Sequence, residues 1–187
     1  MRFVLASASP RRRELLSLAG FAFDVDVADV DERRRENEPP AAYAARVAIA
    51  KAEAVAARRP GRVVLAADTI VLVDDLMMGK PTDAEDARRM LTTLSGRSHE
   101  VLTAVAMAAD GRIETRVERT TVWFRLLAPD EIDDYVASGE PMDKAGAYAI
   151  QGRASRFIPR IDGSYTNVVG LPIEIVDTLL KYTEVRG

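Results

Sequence analysis

The chain has 187 residues, enough for one domain with a sizeable core, since a fold of this size hides roughly 70% of the surface that its unfolded chain exposes. Hydrophobic residues make up 48% and charged residues 29%, and no apolar run approaches the roughly 20 residues that span a bilayer, so neither a membrane protein nor a membrane partner is expected. A net charge of −3 and a pI near 5.4 argue against a general nucleic-acid binder, and the lack of cysteine removes disulfides, thiolate nucleophiles and thiolate metal sites. One histidine, His99, leaves no histidine metal cluster. Any metal is therefore expected to be a hard cation, magnesium or manganese, held by carboxylates and phosphate oxygens.

In chain order, residues 2–6 read as a short buried strand; the stretch resembles a secretory start, but it ends at once in Ser7-Ala8-Ser9-Pro10 and three arginines. A helix is expected over 10–19, with Ser9 as N-cap, Pro10 at its first position and Gly20 just past its end. Residues 21–27 alternate like a half-buried strand, 28–38 form a charged exposed loop, and a long alanine-rich helix runs from Pro39 or Pro40 to about 59. A strand over 63–67 ends at Asp68, 70–73 continue as β, Asp74-Asp75 turns the chain, and a helix covers 83–94. Asp110-Gly111 joins two strands, 101–108 and 113–126, in a hairpin, and Pro129 opens a helix to about 139. Two further strands, 156–161 and 165–169, flank Asp162-Gly163, and a last helix follows Pro172. With no repeat and no linker, the expected organisation is a single α/β domain over residues 1–187 with a mixed sheet flanked by helices.

Several of these elements carry residues with chemical potential. Arg11, Arg12 and Arg13 stand in the first turn of a helix, where the dipole disfavours cations, so an anion bound there is a natural compensation; a solvated basic turn fits equally well. Asp68 at the mouth of a buried strand suits metal binding or water activation, or a simple cap. Glu32 reads as a loop carboxylate or a second ligand, Lys51 as a helix-surface charge or a phosphate contact, and Lys80 as a cation on the stiff Gly79-Lys80-Pro81. His99 reads as structural, and Trp123 and Phe124 as core or interface.

Six segments in order, SASPRRRELL at 7–16, AADTIV at 66–71, GKP at 79–81, SGRSHEVLTAV at 95–105, DKAGAYAIQG at 143–152 and DGSYTNVVGLP at 162–172, resemble the Maf family of nucleoside triphosphate pyrophosphatases. The resemblance covers nearly the whole chain. It implies an elongated mixed-sheet fold shared with the inosine triphosphate pyrophosphatases, the Maf/Ham fold, with a deep cleft, a homodimer and a cytoplasmic location. Asp68 matches the acidic residue taken as the family's catalytic base, and the expected mechanism adds a divalent cation, Mg²⁺ or Mn²⁺, held with Glu32 and Asp68, with Lys51 and Lys80 as further catalytic residues that grip the triphosphate along with Arg11 and Arg12. Ser7, Ser9, Arg11, Arg12, Thr69 and Gln151 are the implied substrate contacts, with Arg12, Thr69 and Gln151 matching positions tied to base selectivity. Gln151 points to the branch acting on dTTP and UTP, because an amide offers both the donor and the acceptor that a uracil or thymine edge requires. Whether Asp68 is chiefly base or metal ligand stays open. Ala8 and Arg153-Ala154-Ser155 depart from the glycines common in the family. The alternatives are a broader house-cleaning pyrophosphatase and a nucleotide-binding regulator of cell division.

Overall fold

A computed structural model describes residues 2–186. The elements are β1 (Arg2–Leu5), α1 (Pro10–Leu18), β2 (Ala22–Val25), α2 (Pro40–Arg58), β3 (Val64–Val73), β4 (Leu76–Met78) and α3 (Ala84–Leu94). They continue with β5 (Ser98–Ala109), β6 (Arg112–Trp123), α4 (Pro129–Ala137), β7 (Arg160–Asp162), α5 (Tyr165–Val169) and α6 (Ile173–Arg186). The sheet has seven strands in the order β2-β1-β3-β5-β6-β7, with β4 paired to β3. β1 runs parallel to β2 and to β3, whereas β4 on β3 and β7 on β6 are antiparallel, so the sheet is mixed as expected.

Contacts group these elements into two compact units, with β3, β5 and β6 passing from one into the other. The first takes the chain up to Asp68, the hairpin tip Thr103–Glu118 and the stretch from Gly170 onward; the second takes Thr69–Leu102 and Arg119–Val169. One core cluster of the first unit joins Val4 and Ala6 of β1, Val64 and Ala66 of β3, and Ala104, Ala106 and Ala108 of β5 to Ala44, Ala48, Ala52 and Val55 of α2. The α2 positions recur at helical spacing, and the strand positions alternate. The second unit's core is built of larger residues, among them Leu91, Leu94, Phe124, Tyr135, Tyr148 and Phe157.

The capping signals act as the sequence suggests. Ser9 accepts from the Arg12 amide, Asp83 accepts from the Asp86 amide at 2.8 Å, and the hairpin tip Asp110-Gly111 has φ of 50° and 72°, the paired positive values of a two-residue hairpin turn. Three expectations are corrected. The first strand of the pair around Asp68 does not end there, since β3 continues without a break to Val73. The expected strand over 165–169 is helix α5, because Ser164 caps it: its hydroxyl accepts from the Asn167 amide at 3.2 Å and its carbonyl from the Val168 amide. The expected strand over 156–161 shrinks to β7, its first two residues being absorbed by a 3₁₀ helix, Arg153–Phe157, that buries Ala154 and Phe157. That helix also houses the Arg153-Ala154-Ser155 departure.

Candidate active site

In the first unit, alternation along β3 puts Asp68 on the face that carries Val64 and Ala66, the face covered by α2. Lys51 lies three residues after Ala48 on α2, at the edge of the buried stripe. Its stem is largely buried, and its ammonium donates to Asp68 Oδ1 at 2.9 Å and pairs with Glu32 Oε1 at 2.9 Å. Asp68 itself is buried, at 7% exposure, so its carboxylate depends on that partner for charge balance. Glu32 belongs to an irregular loop, yet it is not simply solvated. Tyr43 of α2 donates to the Glu32 carbonyl at 2.9 Å, and Arg46 donates to Glu38 Oε1 at 2.6 Å and to the Arg33 carbonyl at 3.0 Å. The hydrogen-bonded Arg46 guanidinium holds the Glu38 carboxyl down to about 2, so Glu38 is ionised at neutral pH.

The three arginines at the start of α1 part company. Arg13 is exposed and Arg11 half-buried, while Arg12 turns inward to 9% exposure. Its Nε donates to the Gly170 carbonyl at 2.8 Å, and one terminal nitrogen donates to the Ala67 carbonyl at 2.8 Å and to the Ser7 hydroxyl at 3.1 Å. Arg12 therefore ties the loop after β1 to β3 one residue before Asp68. Burial pulls the guanidinium below its usual value, and the Asp68 carboxylate pushes it back up. The Ser7 hydroxyl also accepts from the Ser9 amide at 3.2 Å, and Ser9 is committed as the helix cap. The structure thus brings together Ser7, Ser9, Arg12, Glu32, Lys51 and Asp68 of the residues singled out from the sequence.

Thr69, Lys80 and Gln151 belong to the second unit. Thr69 is half-buried in β3, and Lys80 and Gln151 are exposed. The Gly146 amide donates to the Gly79 carbonyl at 3.0 Å, which fastens the segment leading to Gln151 onto the loop that carries Lys80. His99 is structural, as expected: it is 2% exposed, its Nε2 is hydrogen-bonded to the Tyr148 hydroxyl at 2.8 Å, and burial pushes it down to about 4, so the ring is neutral at neutral pH. Phe124 is core, whereas Trp123 is half-buried beneath the Arg160 guanidinium, 4.5 Å from its ring centroid.

Among the described residues, no group of three or more His, Asp or Glu side chains is arranged to hold a metal by itself. Glu32 and Asp68 nevertheless meet at one point, the Lys51 ammonium, and two carboxylates are the donor class and number with which a protein offers magnesium a place alongside substrate phosphates. The residues present fit such an ion. A surface hollow whose lining includes Asp31, Arg33, Arg34, Arg35, Arg46 and Glu53 includes none of these three side chains; two of its arginines are paired, Arg33 with Asp31 and Arg46 with Glu38.

The sequence model of the family described as Maf-like protein matches residues 2–183. The chain belongs to the Maf family. Among similar proteins, the dTTP/UTP pyrophosphatase of Geobacter metallireducens is 55% identical over 182 residues, covering 95% of this Maf chain and 94% of that protein. The protein of the same name from Anaeromyxobacter dehalogenans is 54% identical over 184 residues, with 96% and 93% covered, and that of Vibrio parahaemolyticus is 46% identical over 182 residues, with 97% and 96% covered. Among solved structures, the Staphylococcus aureus Ham1 protein superposes with a TM-score of 0.51 at 17% identity, over 97% of this chain and 98% of that one. At that identity the likeness speaks for the fold, and it agrees with the Maf/Ham architecture expected from the sequence.

The contact between Tyr135 and Glu140, whose side chains bond at 2.8 Å, has no signal in the sequence. Tyr135 sits on the apolar stripe of α4 and reads as plain core, and Glu140 reads as a surface acid after Gly139.

Proposed function

We propose that this Maf protein hydrolyses dTTP and UTP to the nucleoside monophosphate and pyrophosphate, with magnesium or manganese as cofactor. The observation that carries the reading is Lys51 of α2 held 2.9 Å from both Glu32 and Asp68, with Asp68 in β3 just past its last parallel pairing with β1, Leu5 with Leu65. Loops and side chains past the carboxyl ends of parallel strands are where α/β sheets receive ligands. The substrate class comes from the names of the similar proteins and from the amide of Gln151, which can donate to a pyrimidine carbonyl and accept from its imide N–H.

In this mechanism the Asp68 carboxylate orients a water and takes its proton as the water oxygen bonds to the α-phosphorus. The bond from that phosphorus to the bridging oxygen breaks, and pyrophosphate leaves with the electron pair. Lys51 offsets the charge of the carboxylates before substrate arrives and of the phosphates afterwards. The Ser7 oxygen already accepts two hydrogen bonds, so its own proton is available to a phosphate oxygen, and Arg11 at the start of α1 adds positive potential. Arg12, with its fork engaged by two backbone carbonyls, shapes the loop and offsets Asp68; Lys80 is assigned to the triphosphate tail. Glu32 and Asp68 would hold the divalent cation, whose chemistry there is neutralisation of phosphate charge. A deep cleft, a homodimer and a cytoplasmic location belong to the same reading.

The test is a panel of dTTP, UTP, CTP, GTP and ITP with Mg²⁺ or Mn²⁺, scored for pyrophosphate against single phosphate. Pyrophosphate release fastest from dTTP and UTP is expected. Equal turnover of ITP or GTP would replace this reading with a broader house-cleaning role, and nucleotide binding without any pyrophosphate would replace it with a regulatory one.

A further inference from the structure

Gln151 lies in the middle of a tight turn closed by the Gly152 amide donating to the Ala149 carbonyl at 3.0 Å. Both ends of that turn are held by one pair of side chains from the preceding helix and its exit. At the front, the Ala149 amide donates to the Tyr135 hydroxyl at 3.2 Å. At the back, the Arg153 amide donates to Glu140 Oε2 at 3.1 Å. The two anchors are themselves joined, since the Tyr135 hydroxyl donates to Glu140 Oε1 at 2.8 Å. Tyr135 is fully buried and Glu140 half-buried, so these bonds face little competition from water.

Gly152 records how closely the carboxylate approaches. Its φ of −101° and ψ of −152° suit any residue, so backbone freedom does not call for glycine there. Space does: a Cβ on Gly152 would stand 2.1 Å from Glu140 Oε1 and 2.5 Å from Glu140 Cδ. Glycine is needed because the clamp occupies the place of its side chain. The other end of the segment is equally constrained. Gly146 has a φ of 70°, and a Cβ there would lie 2.9 Å from Val71 Cγ2.

We propose that Tyr135 and Glu140 are positioning residues for base selection, a clamp that fixes the turn presenting Gln151 so that its amide meets the pyrimidine edge in one orientation. The inference rests on the assignment of Gln151 to the base. Both side chains bond backbone amides of the turn, so the clamp is assigned to recognition and not to bond cleavage. A side-chain amide on a loose turn pays for its own ordering when the base binds, whereas one on a clamped turn is already placed.

Tyr135→Phe removes one hydroxyl and with it both hydrogen bonds of the front anchor. The expected result is a roughly tenfold rise in KM for dTTP and a roughly tenfold loss of its kcat/KM preference over GTP, with kcat within about twofold. Gly152→Ala, which drives a methyl into the carboxylate, should act in the same direction. In a Glu140→Ala background, where that space is vacant, Gly152→Ala should add little further loss. Folding of each variant is checked by circular dichroism and thermal melting. A purely structural pair would lower the melting temperature and leave the substrate ratio alone.

Folded Tyr135→Phe and Gly152→Ala proteins that keep the wild-type KM and the wild-type preference would overturn the clamp. So would full additivity of Gly152→Ala with Glu140→Ala. A wild-type enzyme that releases pyrophosphate without favouring pyrimidines would instead fail at the assignment of Gln151, and the inference would fall with it; the wild-type panel alone separates the two failures.

Discussion

The cluster beneath α2 in the first unit and the core of the second differ in grain, although the first unit also buries Phe3, Leu5, Leu16 and Leu65 elsewhere. Around β1, β3 and α2 the packing is mostly alanine and valine, with Ala6, Ala44, Ala48, Ala52, Ala66, Ala104, Ala106 and Ala108 all buried. Small side chains let a helix lie close on a sheet, so a lysine on α2 can reach a carboxylate on β3 while most of its stem stays dry. In the second unit an aromatic group stands within the core: Phe124 and Tyr148 are 4.9 Å apart edge to face and Tyr135 and Phe157 5.4 Å, with the Tyr148 hydroxyl bonded to His99 of β5 and the Tyr135 hydroxyl fastening a turn. The lesson is one of division. Close packing of small residues brings charged side chains together, and a buried hydroxyl on a large ring fastens a turn; on the proposed reading the first serves the chemistry and the second recognition.

The comparison breaks most visibly at Asp68. Asp68→Asn keeps the shape and an oxygen for Lys51 but loses the charge and the proton acceptor, so pyrophosphate release should fall roughly 10²- to 10⁴-fold with the melting curve little changed. A variant with activity close to wild type would remove the first unit from the chemistry. Next comes Arg12. A lysine there cannot serve the Ala67 and Gly170 carbonyls and the Ser7 hydroxyl together, and Arg12→Lys should cost about 3 kcal/mol, seen as a lower urea midpoint with an unchanged slope. An unmoved midpoint would mean that the buried fork does not hold the loop.

The second unit is sharpened by acid. His99 is kept neutral in the folded protein down to about 4, against a reference value of 6.5, so below pH 6.5 the unfolded chain binds a proton that the native chain refuses. Relative to neutral pH, stability should therefore fall by about 1.4 kcal/mol at pH 5.5 and about 3 kcal/mol at pH 4, levelling off about a unit lower. Glu38 and Glu131, both held down to about 2 by arginines, lose their contribution only as pH falls through a lower window, from about 4.5 downward. Denaturation of wild type and His99→Gln across this range separates the two: parallel curves between pH 6.5 and 4 would show that His99 is not the titrating group.

Much of this was legible residue by residue. The cap at Ser9, the turn at Asp110-Gly111 and the helix stop at Gly20 are local chemistry, and they appear where the sequence places them. Asp68 could be singled out because a carboxylate after Val63-Val64-Leu65-Ala66-Ala67 violates the apolar run. Its junction with Lys51 and Glu32 could not, because it depends on α2 crossing β3 and on Tyr43 and Arg46 drawing a charged loop onto the helix. The misread helix Tyr165–Val169 shows the opposite failure. Its β-branched residues favour a strand, but Asn167 is locked by its side-chain amide to the Val101 carbonyl at 3.0 Å and the Thr120 hydroxyl at 2.9 Å, contacts from distant parts of the chain that outweigh propensity. β4 escaped notice because three residues, Leu76–Met78, carry too little pattern. The clamp on Gln151 stayed hidden for a related reason: only the fold reveals which core tyrosine turns its hydroxyl toward which surface acid.

The central claim is that water, oriented by Asp68, attacks the α-phosphorus. Hydrolysis of dTTP in water enriched with oxygen-18, followed by mass spectrometry of both products, tests it directly. The label should appear in the nucleoside monophosphate, with the pyrophosphate unlabelled. Label in the pyrophosphate, or release of single phosphate carrying it, would place the attack at another phosphorus and contradict the account.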